Sequence, residues 1–113
     1  MIEEYHFGSL TINGKSYDYD VEVRWTDEVL KWWRQESHVI DVEDVKRAIE
    51  ENPEVIVIGT GESGMAKVTN RAKEEILSRG IRLIIEKTPQ AIKSFNQRKE
   101  EKKRIIGLFH LTC

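Results

Sequence analysis

Cysteine is almost absent from this chain of 113 residues, since its one cysteine, Cys113, stands at the last position. A single cysteine cannot form an internal disulfide, so we expect a packed core and a reducing compartment. No stretch approaches the roughly 20 apolar residues that a membrane-spanning helix needs. The acidic segment Met1–Glu4 does not resemble a signal peptide. We therefore predict a cytoplasmic domain without membrane contact.

An excess of charge of either sign is also missing. The 20 acidic and 18 basic residues leave a formal net charge of −2, which argues against a general nucleic-acid surface. The three histidines, His6, His38 and His110, match no metal-ligand spacing. No constellation of catalytic residues stands out either. The sequence therefore predicts no nucleic-acid partner, no metal and no cofactor.

The first part of the chain has the alternation and the turn residues of β-strands. Asn13-Gly14 separates two extended segments and favours a hairpin, because both residues tolerate positive φ. From Tyr17 onwards the odd-numbered residues predict a buried face of the second strand. The positions predicted to face solvent are Asp18, Asp20, Glu22 and Arg24. We therefore predict a β-hairpin-rich N-terminal part.

The second half alternates strands with helices. The predicted strands span residues 54–58, 81–85 and 105–111, and the first two look buried. The predicted helices begin after Asp41, at Thr69 or Asn70, and at Thr88. This order predicts an α/β sheet with crossover connections in one domain over residues 1–113. The N-terminal part extends this sheet or lies across it.

Residues typical of helix ends support these boundaries. The side chains of Asp41 and Thr88 can cap free N–H groups, and Pro89 suits the first helical position. Gly80 is predicted as the C-terminal cap of the middle helix. The predicted apolar stripes contain Val42, Val45, Ala48 and Ile49, then Ala72, Ile76 and Leu77, then Ala91, Ile92 and Phe95.

A buried strand that ends in a glycine-rich turn marks the candidate functional site. The strand leads into Gly59-Thr60-Gly61-Glu62-Ser63-Gly64, and α/β proteins often bind ligands at such strand ends. The spacing matches a dinucleotide loop. However, the next helix begins too far along to meet a pyrophosphate, and Glu62 would repel it. A small anionic or polar ligand, a structural turn and a protein-contact turn remain open.

The tryptophans are expected mainly in the core. Trp32 and Trp33 are adjacent, and successive side chains diverge in helices and strands, so one of them is expected at the surface for a partner. Asn96 lies inside a predicted helix, where asparagine is unfavourable unless its side chain makes a specific hydrogen bond. We expect that bond to be structural.

Several segments occur in an order that resembles a known family. They are Trp32-Trp33-Arg34 with His38, Val57-Ile58-Gly59-Thr60-Gly61, Gly80-Ile81, and Thr88 with Ala91, Phe95 and Asn96. This set resembles the family of adipogenesis-associated Mth-type domain proteins, one branch of which includes a mitochondrial assembly factor for respiratory complex I. The resemblance covers nearly the whole chain, although Ser37 and Phe95 replace a common glycine and tyrosine.

The resemblance implies a three-layer α/β domain around a central mixed sheet and a non-enzymatic, assembly-factor-like role through protein contacts. It also leads us to expect that loop 59–64 lies near the start of the Thr88 helix. The candidate ligand- or partner-binding residues are Gly59, Thr60, Gly61, Ser63, Gly64, Thr88, Phe95, Asn96 and Trp33. The alternative is a ligand-binding protein or enzyme whose loop N–H groups hold an anionic or polar group. No catalytic residue is assigned, and a homo-oligomer is left open.

Overall fold

A mixed sheet of five strands forms the centre of the structure, a computed structural model that describes residues 1–113. The strands are β1 Ile2–His6, β2 Ser9–Ile12, β3 Lys15–Tyr17, β4 Val21–Arg24, β5 Val29–Lys31, β6 Val39–Ile40, β7 Val55–Thr60, β8 Lys67–Val68, β9 Arg82–Glu86 and β10 Ile105–His110, and the helices are α1 Val42–Glu50, α2 Asn70–Ser78 and α3 Thr88–Glu100. The central order is β5-β4-β10-β7-β9. β10, β7 and β9 are parallel, whereas β4 and β5 add antiparallel pairs. The predicted α/β fold around a mixed sheet is confirmed.

The N-terminal strands form a separate antiparallel sheet, β1-β2-β3. The predicted hairpin joins β2 to β3, and Asn13 and Gly14 take φ values of 50° and 82° at its turn. The Asn96 side chain ties this sheet to α3, because its amide accepts from the Ile2 N–H (2.9 Å) and donates to the Ile2 carbonyl (2.8 Å). The predicted structural hydrogen bond of Asn96 is thus confirmed. A short parallel pair, β6-β8, completes the fold.

The prediction of one alternating strand from Tyr17 to Arg24 is wrong. β3 ends at Tyr17, and β4 begins at Val21 in a different sheet. Glu22 and Arg24 were predicted to face solvent, yet they are only 1% and 9% exposed. The reason is that β4 lies between β10 and β5, and Arg24 and Arg47 of α1 close over the Glu22 carboxylate.

Two apolar clusters lie on opposite faces of the central sheet, and β7 contributes to both. Val55 and Val57 join the cluster that contains the α3 residues, whereas Ile56 and Ile58 join the cluster beneath α1 and α2. A strand covered on both faces needs apolar residues throughout, which explains its uninterrupted β-branched run. The predicted helix stripes are confirmed except at Val42, which is half-buried, and at Leu77, which is 56% exposed. It lies one position past buried Ile76, about 100° further around α2.

The helix ends follow the sequence at most positions. Asp41 and Asp44 form a capping box, Thr69 caps α2 by accepting from the Ala72 N–H, and Gly80 follows α2 with a φ of 74°. Thr88 is the exception, because Lys87 occupies the N-cap of α3 and makes no side-chain capping bond.

The strand β9 is less buried than predicted. It pairs only with β7 and therefore forms one edge of the central sheet. Arg82 and Ile85 are exposed, and the other three residues are half-buried. Leu83 packs against one apolar cluster and Ile84 against the other, so this edge strand contributes to both faces of the core with half-buried side chains.

Candidate functional site

The carboxyl ends of the parallel strands meet at one side of the molecule, where open α/β sheets usually place their binding sites. β7, β9 and β10 end there at Thr60, Glu86 and His110. Because β4 runs antiparallel to β10, Asp20 just before β4 reaches the same side. The loop after β5, which carries Arg34, also reaches it, because β5 runs antiparallel to β4. The topology therefore gathers residues that are far apart in sequence.

Asp20, Arg34 and His110 form a largely buried polar cluster at this side. The Asp20 Oδ2 atom lies 2.5 Å from Arg34 Nη1 and 2.8 Å from His110 Nδ1. The Leu111 N–H donates to Asp20 Oδ1 at 2.8 Å. The Arg34 and His110 side chains are only 4% and 5% exposed. The Asp20 carboxylate therefore contacts two side chains that can carry a positive charge and accepts from one backbone N–H, at a site largely shielded from water.

The protonation of the cluster follows from the state of Asp20. Burial alone raises the pKa of Asp20, but the hydrogen bonds from His110, Leu111 and Arg34, together with the Arg34 charge, lower that pKa below its usual value. An ionised Asp20 assigns the proton on His110 to Nδ1, so this nitrogen donates to the carboxylate. Arg34 Nη2, 3.0 Å from that nitrogen, donates to the Ser37 carbonyl at 2.9 Å instead.

The remaining nitrogen of His110 has no open approach. Nε2 lies 3.4 Å from Thr112 Oγ1, and the residue is 4% exposed. The five clefts on the surface are lined by other residues. No group of three or more His, Cys, Asp or Glu side chains is placed to hold a metal ion. The polar cluster therefore joins the segment before β4, the loop after β5 and the end of the chain.

The same cluster fixes the two adjacent tryptophans in opposite environments. The Arg34 guanidinium carbon lies 4.6 Å from the centre of the Trp32 ring, and Trp32 Nε1 donates to the Asp44 carbonyl at 2.9 Å. Trp32 is buried at 4% exposure, whereas Trp33 is 74% exposed. The prediction that one of them is exposed is confirmed. Its use by a partner stays a prediction.

Five exposed apolar residues lie at, or one position from, residues that contact the end of the chain. We call them the rim surface, and they are Phe7, Tyr19, Trp33, Val39 and Met65. Met65 itself and the residues next to the other four contact the last residues of the chain. Gly8 and Met65 do so through backbone hydrogen bonds, and Asp20 and Arg34 through the polar cluster. The His38 ring lies edge-on to the His110 ring.

Lys31 links two members of the rim surface. Its Nζ atom lies 5.2 Å from the centre of the Tyr19 ring and 5.6 Å from that of Trp33. Trp33 also lines a shallow cleft of about 150 Å³, whose other walls are Trp32, Glu43, Asp44 and Arg47. A partner would therefore meet both an aromatic ring and charged groups here.

The glycine-rich segment packs against the start of α3, as expected from the sequence. Gly59 and Thr60 still belong to β7, so the loop begins at Gly61. The Gly61 N–H donates to Thr88 Oγ1 at 2.9 Å, and the Thr88 N–H donates to the Gly61 carbonyl at 3.0 Å. The Thr88 hydroxyl donates in turn to the His110 carbonyl at 2.6 Å. Thr88 thus joins β7, α3 and β10 rather than capping its helix.

The close approach of these segments explains two of the glycines. A Cβ on Gly59 would lie 2.8 Å from Thr88 Oγ1. A Cβ on Gly61 would lie 2.4 Å from the Cys113 carbonyl carbon, and the φ of Gly61 is +106°. Side chains are therefore excluded at both positions by the neighbouring chain.

Most N–H groups of the loop donate to acceptors within the chain. Those of Glu62 and Met65 donate to the carbonyls of Thr112 and Cys113 at 2.6 and 3.0 Å. The N–H of Gly64 donates to Gly61 at 3.3 Å, and Ser63 is exposed. The loop in this conformation holds the end of the chain.

The other candidate residues lie apart from this loop. Phe95 is fully buried, with its ring edge-on to Phe109 at 5.8 Å. Asn96 lies two turns along α3 and binds Ile2. The structure thus brings Gly59, Thr60, Gly61 and Thr88 together, places Trp33 on the rim surface, and separates Phe95 and Asn96 from both.

The cluster of Asp20, Arg34 and His110 is not among the features predicted from the sequence. Asp20 was assigned to a solvent-facing position, and His110 was noted only as lacking metal-ligand spacing. A signal in the sequence existed only for His110, which lies near the end of the predicted strand 105–111, because Asp20 was placed inside a predicted strand and no strand was assigned before Arg34. Using it requires the strand order, which the sequence alone did not supply.

No helix of the structure is long and apolar enough to cross a membrane.

The fold matches solved structures over the whole chain. A conserved hypothetical protein, PH1505, from Pyrococcus horikoshii OT3 is 28% identical, with a TM-score of 0.91 over 100% of this chain and 99% of that one. The protein MT938 is also 28% identical, with a TM-score of 0.85 over 100% and 98%.

A more distant match supports the fold alone. The XCC1710 protein from Xanthomonas campestris is 18% identical, with a TM-score of 0.83 over 98% of this chain and 83% of that one. The family model for proteins of unknown function, DUF498/DUF598, matches residues 2–110. The chain therefore belongs to the DUF498/DUF598 family.

Proposed function

We propose that this domain acts without catalysis, by binding a protein partner in the cytoplasm through the rim surface around Trp33. The observation that carries the proposal is the 74% exposure of Trp33 between two immobilised neighbours, Trp32 and Arg34. Tryptophan is enriched among the residues that dominate binding energy at interfaces. An exposed indole on a fixed backbone is therefore the strongest candidate for a contact residue.

The rigidity of the loop adds to this argument. Association must offset the entropy lost when interface loops become ordered, so a loop that is already fixed binds more tightly. The ion pair between Arg34 and Asp20 provides that order before any partner arrives. The resemblance to Mth-type domain proteins, with their assembly-factor branch, points to the same class of function.

The test is affinity capture from the cells of origin with three forms of the protein. We compare the wild type, Trp33→Ala, and Leu77→Ala, whose leucine is also exposed but lies on α2 away from the rim surface. We expect proteins that are retained by the wild type and Leu77→Ala, and lost with Trp33→Ala. Thermal unfolding confirms that each variant is folded. The same retained set for all three forms would overturn the proposal.

The alternative function is binding or conversion of a small anionic or polar ligand by the loop Gly59–Gly64 beside the start of α3. It has weaker support, because the N–H groups of Gly61, Glu62 and Gly64 already donate within the chain. Native mass spectrometry of gently purified protein separates the two functions. A stoichiometric small-molecule mass favours the alternative, and a co-purifying polypeptide favours the rim surface.

A further inference from the structure

The strand β9 presents a free edge that is unusually suited to pairing. It is five residues long, contains no proline, and pairs with β7 in a regular parallel register without a bulge. Natural proteins usually shorten, bend or cover such edges to prevent association. The opposite edge of the same sheet, β5, has only three residues and ends in Lys31. The unprotected length of β9 therefore calls for an explanation.

The backbone direction shows which groups are available at this edge. The Arg82 N–H donates to the Glu54 carbonyl, and so faces β7. Because the backbone groups of successive residues in a strand point to opposite sides, Ile84 and Glu86 also face β7. The N–H and C=O groups of Leu83 and Ile85 point away from the sheet. They form two donor and acceptor pairs with the spacing of an antiparallel ladder.

One register uses all of these groups. If a second copy of β9 runs antiparallel with Ile84 opposite Ile84, then Leu83 of each copy faces Ile85 of the other. Each of these two positions forms a hydrogen-bonded pair, which gives four bonds in total. The same register sets Arg82 of each copy opposite Glu86 of the other. A parallel alignment in register would instead oppose like charges, so the charges select the antiparallel one.

Exposed apolar side chains lie beside this edge. Leu83 packs into the cluster that contains Ile76 of α2, and Ile85 lies on the same face of the strand. Ile85 is 37% exposed, and Leu77 of α2 is 56% exposed. A second copy of β9 would extend the sheet beside Ile85 and bring a second α2 towards Leu77.

We propose that the protein forms a two-fold dimer in which the β9 strands of two copies pair antiparallel and join two five-stranded sheets into one of ten. The occupant of the edge is a second copy of this chain because the strand complements itself in charge and in hydrogen bonding. The loop that carries Trp33 follows β5 at the opposite edge, so this inference is independent of the proposed function.

The test is a charge reversal and its rescue, measured by sedimentation and light scattering over a range of protein concentrations. Arg82→Glu places like charges opposite each other twice in the dimer, and we expect the dissociation constant to rise on the order of ten-fold or more. The double variant Arg82→Glu with Glu86→Arg restores opposite charges and recovers the dimer. The control Lys46→Glu reverses an exposed charge on α1 and leaves association unchanged.

A second measurement locates the interface. Hydrogen exchange at the amides of Leu83 and Ile85 is expected to slow as protein concentration rises in the wild type, but not in Arg82→Glu. Four results would overturn the proposal: a wild type that stays monomeric at millimolar concentration, a dimer insensitive to Arg82→Glu, a double variant that fails to recover association while remaining folded, or concentration-independent exchange at both amides.

Discussion

Glu22 and Asp20 lie only two residues apart, and their carboxylates hold together different parts of this molecule. Glu22 is buried at 1% exposure, whereas the Asp20 side chain is half-buried at 19%. Glu22 lies within β4 and accepts from Arg24 Nε at 2.8 Å and from Arg47 Nε of α1 at 3.0 Å. Asp20 precedes β4 and binds Arg34 of a loop and His110 at the end of β10. Both carboxylates pair with arginine, but Glu22 joins regular elements, whereas Asp20 joins a loop to the end of a strand.

The difference between the two ion pairs shows how a polar cluster beneath the surface can fix the position of an exposed loop. A buried ion pair adds little net stability, since desolvation offsets much of the attraction, whereas loss of one partner is costly. Moving α1 away from the sheet would separate Arg47 from Glu22 and leave one oxygen of the buried carboxylate unpaired, so the pair keeps α1 packed on the sheet. Moving the loop that carries Trp33 would likewise separate Arg34 from Asp20, so this pair keeps the loop in place. Variants that remove each carboxylate separate these two roles.

The largest effect is expected from Asp20→Ala. It leaves the Arg34 charge without a carboxylate in a site where the side chain is 4% exposed, and such losses cost about 3–5 kcal/mol. We expect that decrease in the free energy of unfolding, measured by urea denaturation. Asp18→Ala, two residues away and exposed, is the control and should change stability by less than about 0.5 kcal/mol. Equal losses for both would contradict a structural role of the cluster.

Glu22→Gln is expected to cost less, about 1–3 kcal/mol, because the amide keeps the shape and one acceptor. Arg24 also retains Glu28 at 2.9 Å and Glu51 at 3.4 Å. Urea denaturation gives the magnitude, and iodide quenching of tryptophan fluorescence gives the exposure of Trp33, which should not change. A greater loss than in Asp20→Ala would reverse the comparison.

Acid should remove the contribution of Asp20. The pKa of Asp20 is raised by burial but lowered further by its hydrogen bonds, and its net folded value lies below the usual unfolded value of about 3.9. Between these two values the unfolded chain binds more protons than the folded one. The stabilisation is therefore complete above about pH 4 and is lost as the pH falls through the folded pKa.

The measurement compares the wild type with Asp20→Asn, which cannot ionise at this position. We expect the difference in unfolding free energy between them to narrow as the pH falls below about 4. Taking a difference matters, because the pKa values of Asp27, Asp41 and Glu54 are also lowered. A difference that stays constant on acidification would show that Asp20 is not a stabilising anion.

The sequence predicted those features that depend on neighbours along the chain. The N-cap at Asp41 and the turn at Asn13-Gly14 need only a few adjacent residues, and both are as expected. The divergence of Trp32 and Trp33 follows from local geometry alone. Which tryptophan is buried required the position of Arg34, and this could not be read from the local pattern.

Features that depend on strand order were missed. Alternation placed Glu22 in solvent because the rule assumes one open face, whereas β4 lies inside a sheet whose relevant face is covered by α1. Asp20 and His110 are 90 residues apart and meet only because β4 runs antiparallel to β10. Thr88 was assigned a local capping role, but its hydroxyl has distant partners in Gly61 and His110.

The smallest effect on stability, and the most informative for function, is expected from Trp33→Ala. The side chain is 74% exposed, so its loss should change the free energy of unfolding by no more than about 0.5 kcal/mol. Trp32→Ala is the matched comparison, because it removes the same side chain from a buried site and should cost about 3–5 kcal/mol. Urea denaturation of both variants measures this contrast.

A large indole that stays at the surface without stabilising the fold is what the proposed partner contact requires. If Trp33→Ala unfolds as readily as Trp32→Ala, the ring supports the domain and its exposure carries no functional meaning. If it remains as stable as the wild type and loses a captured protein, stability and binding are separated at adjacent positions. The Asp20 cluster would then serve mainly to hold Trp33 ready for that partner.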